Sequence, residues 1–233
     1  YIYVISQDNI YDTNTGKEIT KQAFSASWLH IHAEPKALPL FLGHEDCVKV
    51  NALIYLPGEN DNPIKREGIL YWNIWQAPSL DLPEYVGDED VMPWLNHLRY
   101  LYPVQSEQDH LLDWFASLLQ EPMEKINHGV MLAGTSRVGK DLLLSPIRCG
   151  VGANNVCEPS ALELEEVYTE YLHHSKLIIF QEMGNLNVVK TENKLKPMLA
   201  SPPDELRVRR FHQGFYTTPN IVQVIFMSNY KDA

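Results

Sequence analysis

Basic residues, cysteines and long apolar runs are all scarce in this sequence, and each scarcity excludes something. Nineteen Lys and Arg stand against 30 Asp and Glu, a formal net charge of −11. The chain as a whole is therefore no simple basic glove for nucleic acid. Its three cysteines, Cys47, Cys149 and Cys157, are odd in number, widely separated and free of any CxxC pair. That pattern excludes a disulfide framework and suits a reducing, cytoplasmic setting. No apolar run approaches the ~18–20 residues that span a bilayer, so no membrane association is expected. The opening YIYVISQDN has neither the basic nor the apolar stretch of a signal peptide. Repeats and low-complexity segments are absent too. What remains is 233 residues, 45% apolar and 21% charged, ordinary for a globular chain that buries a core without staples. It starts on Tyr and ends on SNYKDA directly after an apolar run, which reads as an excerpt from a longer protein.

Three regions are expected. Residues 1–88 read as β-rich and irregular, with strands around Tyr1–Ile5, Val48–Leu56 and Gly68–Trp75 between Pro- and Gly-bearing turns. Residues 89–127 read as a helical pair. Val91, Trp94, Leu95, Leu98 and Leu101 fall at helical spacing, and a second helix is expected from Ser106, with Asp109 completing a capping box. From residue 128 to 233 short apolar strands alternate with helices, the pattern of a parallel sheet covered on both faces. Here Ala161–His173 is read as helix, Lys194–Ala200 as a short helix and Leu206–Thr218 as a hairpin.

The chemistry concentrates in that last region. Gly134-Thr135-Ser136-Arg137-Val138-Gly139-Lys140-Asp141 has the G-x-x-x-x-G-K spacing of a phosphate-binding loop. Its glycines let backbone N–H groups turn toward phosphates, the following helix presents its positive end, and Lys140 neutralises the β- and γ-oxygens. The residue after the lysine is ordinarily Ser or Thr, to hold Mg²⁺, and here is Asp141. A second apolar strand, KLIIF, ends in Gln181-Glu182, 42 residues beyond Lys140. Glu182 suits activation of the attacking water, and Gln181 takes the place of a metal-shell acid. Asp141 and Gln181 together suggest a carboxylate moved from one side of the metal to the other. A third strand, IVQVIFM, runs into Ser228-Asn229. Asn229 at such a strand end can reach γ-phosphate and water together, because ligands of open α/β sheets gather at that edge.

The set GTSRVGKD, KLIIFQE and VIFMSN resembles motifs A, B and C of superfamily 3 helicases, compact AAA+-type ATPases of viruses and phages. LLDWFASLLQEPMEKINHGVMLAGTSRVGKDLLL looks especially like phage primase–helicase proteins related to the poxvirus type. The resemblance covers residues 91–233, with YLPG and NIWQAP extending it toward the N-terminus. It implies an ATP- and Mg²⁺-dependent DNA helicase or translocase of genome replication, in the host cytoplasm. It further implies a homo-oligomeric ring, usually a hexamer, on single-stranded or forked DNA, with a primase domain in the same parent chain. The family also places basic residues and a pore hairpin between motifs B and C. Lys194, Lys196, Arg207, Arg209, Arg210 and His212 occupy that stretch, where arginines meet phosphates and the neighbouring Phe211 and Phe215 offer stacking surface. The arginine finger would lie beyond the chain end, so weak ATPase is expected of residues 1–233 alone. Other phosphate-loop enzymes, a packaging ATPase or a kinase, and a non-hydrolysing scaffold remain alternatives. His30-Ile-His32 on one strand face, His173-His174 and the aromatics of LYWNIWQAP are read as structural.

Charge divides unevenly along the chain. Residues 1–175 hold 11 Lys+Arg and 25 Asp+Glu, residues 176–233 hold 8 and 5. The local balance of +3 falls on the segment with the expected hairpin, which limits nucleic-acid contact to a narrow site and predicts poor binding by a monomer.

Overall fold

The computed structural model describes residues 1–81, 83–160, 162–164, 166–181, 188–210 and 215–229, with the side chains of 188–191 outside that description. The chain divides into two compact units, Tyr1–Ile74 and Trp75–Ala233.

In the first unit, strands β1 (Ile2–Val4), β2 (Asn9–Asp12) and β3 (Lys17–Thr20) form an antiparallel meander. The turn between β2 and β3 closes through Gly16 N–H donating to Asp12 O at 2.9 Å. Thr20 then caps helix α1 (Lys21–His32), its hydroxyl accepting from Ala23 N–H at 3.1 Å. Helix α2 (Ala37–Gly43) follows. Strand β4 (Lys49–Val50) pairs parallel to β1 and completes an order β3-β2-β1-β4. A second small sheet, in order β5-β7-β6, holds β5 (Ala52–Ile54), β6 (Ile64–Arg66) and β7 (Ile69–Asn73). Buried Asn73 ties its loops, accepting from Leu56 N–H at 2.9 Å and donating to the carbonyls of Leu56 and Glu59, both at 2.8 Å.

The β-rich reading of this unit holds in its two sheets, and two helices that it did not expect lie among them. Phe24 and Trp28, one turn apart, pack onto one another and onto Phe41. His30 and His32 sit on α1 and not on a strand, two residues apart and so on different sides. The candidate strand Val48–Leu56 is broken between β4 and β5.

The second unit opens with α3 (Asp88–Leu101) and α4 (Gln105–Gln120). Asp90 accepts from Gly87 N–H at 2.9 Å and fixes the start of α3. Ser106 lies inside α4 and caps nothing; Asp109 instead accepts from Gln105 at 2.8 Å. Strand β8 (Val130–Ala133) leads into α5 (Lys140–Val151), which runs through Pro146 without ending. Strands β9 (Val156–Cys157) and β10 (Leu177–Phe180), helix α6 (Val188–Leu199), the hairpin β11 (Glu205–Arg209) and β12 (Phe215–Pro219), and β13 (Gln223–Ser228) follow.

The main sheet has the order β8-β13-β10-β9, with every pair parallel. Its central strands β10 and β13 are buried along their whole length, which only a sheet covered on both faces permits. One face packs Leu177, Ile179, Ile225 and Met227 against α4 and α5 through Trp114, Phe115, Leu143 and Leu144. The other packs Ile178, Phe180, Val224 and Phe226 against Met198, Leu206 and Val208. The fold is thus α/β, a parallel sheet flanked by helices, preceded by β-rich sheets.

The expected helix over Ala161–His173 is not formed among the described residues, which give turns and a single 3₁₀ turn at Glu170–Leu172. The backbone there bonds elsewhere. Thr169 N–H donates to Arg209 O at 3.0 Å, and the Thr169 hydroxyl accepts from Arg209 N–H at 2.9 Å. At Thr169 the hairpin takes the backbone donor, and the other bonds of the segment close local turns, among them Glu163 N–H to Ser160 O and Leu172 N–H to Thr169 O, both at 3.0 Å. No helix among the described residues is long and apolar enough to cross a membrane.

Candidate functional site

Parallel strands deliver their carboxyl ends to one edge of the sheet, and the polar residues picked from the sequence collect there. Strand β8 gives way to the loop 134–139, and α5 starts at Lys140. Gly134 N–H donates to Ser228 O at 3.2 Å, binding the loop's entry to the end of β13. Gly139 takes φ +99°, a left-handed conformation that suits glycine. Arg137 also has positive φ, at 65°.

Lys140 is nearly buried, and its ammonium donates to Gly134 O at 2.6 Å, Thr135 O at 3.0 Å and Asn229 Oδ1 at 3.2 Å. All three donors of the ammonium are used. One cation therefore joins the two ends of the loop to the asparagine that leaves β13. Around it opens a cleft of about 430 Å³ lined by Ser136, Arg137, Val138, Asp141, Gln181 and Met227, among others.

A second polar group lies beside the cleft. Arg148, two turns along α5 from Asp141, grips Glu158 through Nε at 2.6 Å and a terminal nitrogen at 3.2 Å. The same terminal nitrogen reaches Asp141 Oδ1 at 3.2 Å. Gln181 donates to Glu158 Oε2 at 3.2 Å and approaches Asp141 Oδ1 at 3.5 Å. The structure thus brings Asp141 and Gln181 together, with a guanidinium between Asp141 and another carboxylate. Glu182 lies outside the described residues. Among the described residues no group of three or more His, Cys, Asp and Glu side chains could hold a metal ion.

Two members of this region escaped the sequence reading. Glu158 follows the short strand β9 just as Gln181 follows β10 and Asn229 follows β13, and that parallel was the available signal. His97 carried none. It comes from α3, and its Nε2 stands 2.9 Å from Gly139 O. A carbonyl only accepts, so Nε2 carries the proton. From the same helix, Trp94 donates to Leu143 O at 2.9 Å. Helix α3 thereby supports the loop and the first turn of α5.

The expected nucleic-acid residues separate into two sets. Arg207 and Arg209 lie on the outward face of β11, alternating with buried Leu206 and Val208. Arg210 turns inward, its Nε 3.2 Å from Glu170 Oε1 and a terminal nitrogen 3.4 Å from His173. It tethers the hairpin to the 3₁₀ turn and does not join the outward arginines. Lys194 donates to the Glu166 carbonyl. Lys196 pairs with Glu192 at 2.8 Å along α6. His212 lies outside the described residues. On the opposite edge of the sheet, Lys176 donates to the carbonyls of Glu124 and Ile221 at 3.1 and 3.0 Å, and Lys125 to those of Met198 and Val222. Burial pushes Lys176 down to about 7 and Lys125 to about 8, the Lys125 charge adding to the effect on Lys176.

Comparison with known proteins agrees with this architecture. Residues 132–233, which contain the loop, all three strand ends and the hairpin, match a family of unknown function, DUF5906. No curated protein matches the sequence. Among solved structures, the apo NrS-1 C-terminal region is similar, at 16% identity and a TM-score of 0.68, over 91% of this chain and 49% of that one. Two A-form apo structures of the same region give 17% identity with TM-scores of 0.68 and 0.66. At such identity the likeness concerns the fold. The chain spans about half the length of the solved structures it matches.

Proposed function

We propose that this chain carries the ATP site and nucleic-acid hairpin of a DNA helicase or translocase in phage-type genome replication. The observation that carries the reading is the meeting of Gly134, Thr135 and Asn229 on the Lys140 ammonium at the mouth of a polar cleft. A triphosphate fits this donor set: a buried lysine, a loop with left-handed backbone at Gly139 and Arg137, and the start of a helix. Lys140 would exchange its carbonyl partners for phosphate oxygens, and Asn229, already 3.2 Å from that ammonium, would come within reach of the terminal phosphate. Glu182, directly after Gln181, is assigned to orient and deprotonate the attacking water.

Mg²⁺ would arrive with the nucleotide and be held by phosphates plus the Asp141 carboxylate, with Gln181 beside it, since Mg²⁺ commonly needs only one or two carboxylates. It would neutralise charge building on the transferred phosphoryl group. The DNA-facing part of the reading rests on the hairpin's outward arginines. Assembly as a hexameric ring and a primase in the same parent chain follow from the family resemblance. A kinase needs a lid over a small substrate, and a basic hairpin between the second and third strands does not supply one.

One observation favours a second reading, a fold that binds nucleotide without hydrolysing it. The Asp141 carboxylate is engaged by Arg148, a cation that competes with a metal. Turnover measured with Asp141→Ala and Glu182→Gln separates the two. The hydrolase reading expects Mg²⁺-dependent, DNA-stimulated turnover that falls at least tenfold in each variant. Binding of ATP with no turnover leaves the scaffold.

A further inference from the structure

The outward face of the hairpin carries a stack of alternating cations and rings. The Arg207 guanidinium lies 3.9 Å from the centre of the Phe215 ring, and Arg209 lies 5.2 Å from the same ring on its own cross-strand position. Arg209 also lies 5.5 Å from the ring of Tyr168, which comes from a separate segment before the 3₁₀ turn. The order Arg207, Phe215, Arg209, Tyr168 thus runs across two parts of the chain. Phe215 is 54% exposed and Tyr168 39%, although both are large rings that folding ordinarily buries. Buried Leu206 and Val208 beneath the strand anchor it to the core.

The charge state of this face differs from that of its neighbours. Arg210, Lys196 and Arg148 are paired with carboxylates. Among the described residues, Arg207 and Arg209 enter no ion pair and are stacked on rings instead. Glu205 is the one acid on the same strand face, two residues from Arg207. A guanidinium stacked on a ring keeps its full charge and its in-plane donors. Two such groups stand in the segment where the chain's charge turns positive. Cations alone would serve an acidic peptide as well as a nucleic acid. The exposed rings decide between them, because bases have faces to stack and carboxylates do not.

We infer that Tyr168 and Phe215, held in line by Arg207 and Arg209, form a base-stacking platform for single-stranded nucleic acid, with Tyr168 a contact outside the hairpin. This rests on the hairpin reading above and adds to it a stacking ring from outside the hairpin, Tyr168, aligned with Phe215 through Arg209. Recognition by stacking is tolerant of sequence, as a translocating site requires.

The test uses the full chain, fluorescence anisotropy, a labelled oligothymidine and an abasic strand of equal length. The wild type is expected to bind oligothymidine at least tenfold more tightly than the abasic strand. Tyr168→Leu and Phe215→Leu should each weaken oligothymidine binding by roughly five- to a hundredfold, the value of one stacked base, and leave abasic binding unchanged. Tyr168→Phe should restore the wild-type figure, and unchanged thermal melts would show that the leucine variants are folded. Arg207→Gln with Arg209→Gln should weaken both strands. If the wild type binds both strands equally and the leucine variants match it, the platform is overturned while phosphate contact by the hairpin stands. If it binds neither strand, even at low salt and at protein concentrations high enough to register the weak binding of a monomer, the hairpin reading itself fails. Displacement of oligothymidine by polyglutamate as readily as by unlabelled strand would overturn the choice of nucleic acid.

Discussion

Gly139→Ala isolates how helix α3 holds the loop 134–139. Gly139 has φ +99°, and a Cβ placed there would stand 2.6 Å from His97 Cε1 and 2.7 Å from Nε2. Two costs follow. An L-residue in the left-handed region is strained by about 1–2 kcal/mol. The imidazole must also move, losing its bond to Gly139 O, about 1 kcal/mol. Reduced freedom of the unfolded chain returns about 0.4–1 kcal/mol. The net expectation is about 2 kcal/mol, or a thermal midpoint lower by roughly 4–8 °C for a unit of this size. A double-mutant cycle checks the geometry. In a His97→Ala background the clash and the bond are already gone, so Gly139→Ala should cost only the backbone strain, about 1 kcal/mol. Differential scanning calorimetry on the four proteins gives both numbers. An equal cost in both backgrounds would refute the contact between α3 and the loop, and no cost in either would refute the backbone conformation.

Two further predictions concern charge. Lys176 and Lys125 have folded pKa values depressed to about 7 and 8, whereas in the unfolded chain they hold their protons to about 10.4. Stability from these groups is complete above that unfolded value and is lost as pH falls toward 7. Unfolding free energies from urea titration should therefore rise between pH 7 and 9, by up to about 1.4 kcal/mol per pH unit for each lysine, and Lys176→Met should flatten the slope. A slope unchanged by that substitution contradicts the burial argument. Arg210→Gln breaks a tether to Glu170 and His173 that is half-exposed on the glutamate side, so a loss of about 1 kcal/mol or less is expected. Arg207→Gln should leave the melting temperature within error, and the reverse ranking would contradict the assignment of Arg210 as structural.

The parts of the site legible in the sequence are those fixed by local chemistry. A strand, a glycine loop and a lysine opening a helix occupy one short stretch, so residues 130–141 could be read without a fold. Apolar strands ending in polar residues located Gln181 and Asn229 for the same reason. The pairing of β11 with β12 was readable from RVRRFHQGFY because a hairpin's partners are neighbours. His97 was not readable, since its partner lies 42 residues away and meets it only through the tertiary fold, whereas Glu158 had a signal, its place after a short strand, that a two-residue strand made faint. The segment 161–173 misled because its apolar spacing suits a helix, while the Thr169 N–H is taken by the hairpin and its neighbours close short turns. Helix α1 was missed although Thr20, Phe24 and Trp28 stood at cap and one-turn positions, because His30-Ile-His32 was read as a strand. Arg210 looked equivalent to Arg207 and Arg209 until Glu170 drew it inward.

The central claim is that Lys140 is the phosphate-binding cation of an ATP site. Calorimetric titration of the chain and of Lys140→Ala with ATP and Mg²⁺ tests it most directly. The wild type is expected to bind saturably and the variant at least tenfold more weakly, while still unfolding cooperatively. Binding of equal strength in both proteins, or no binding by the wild type, would contradict it.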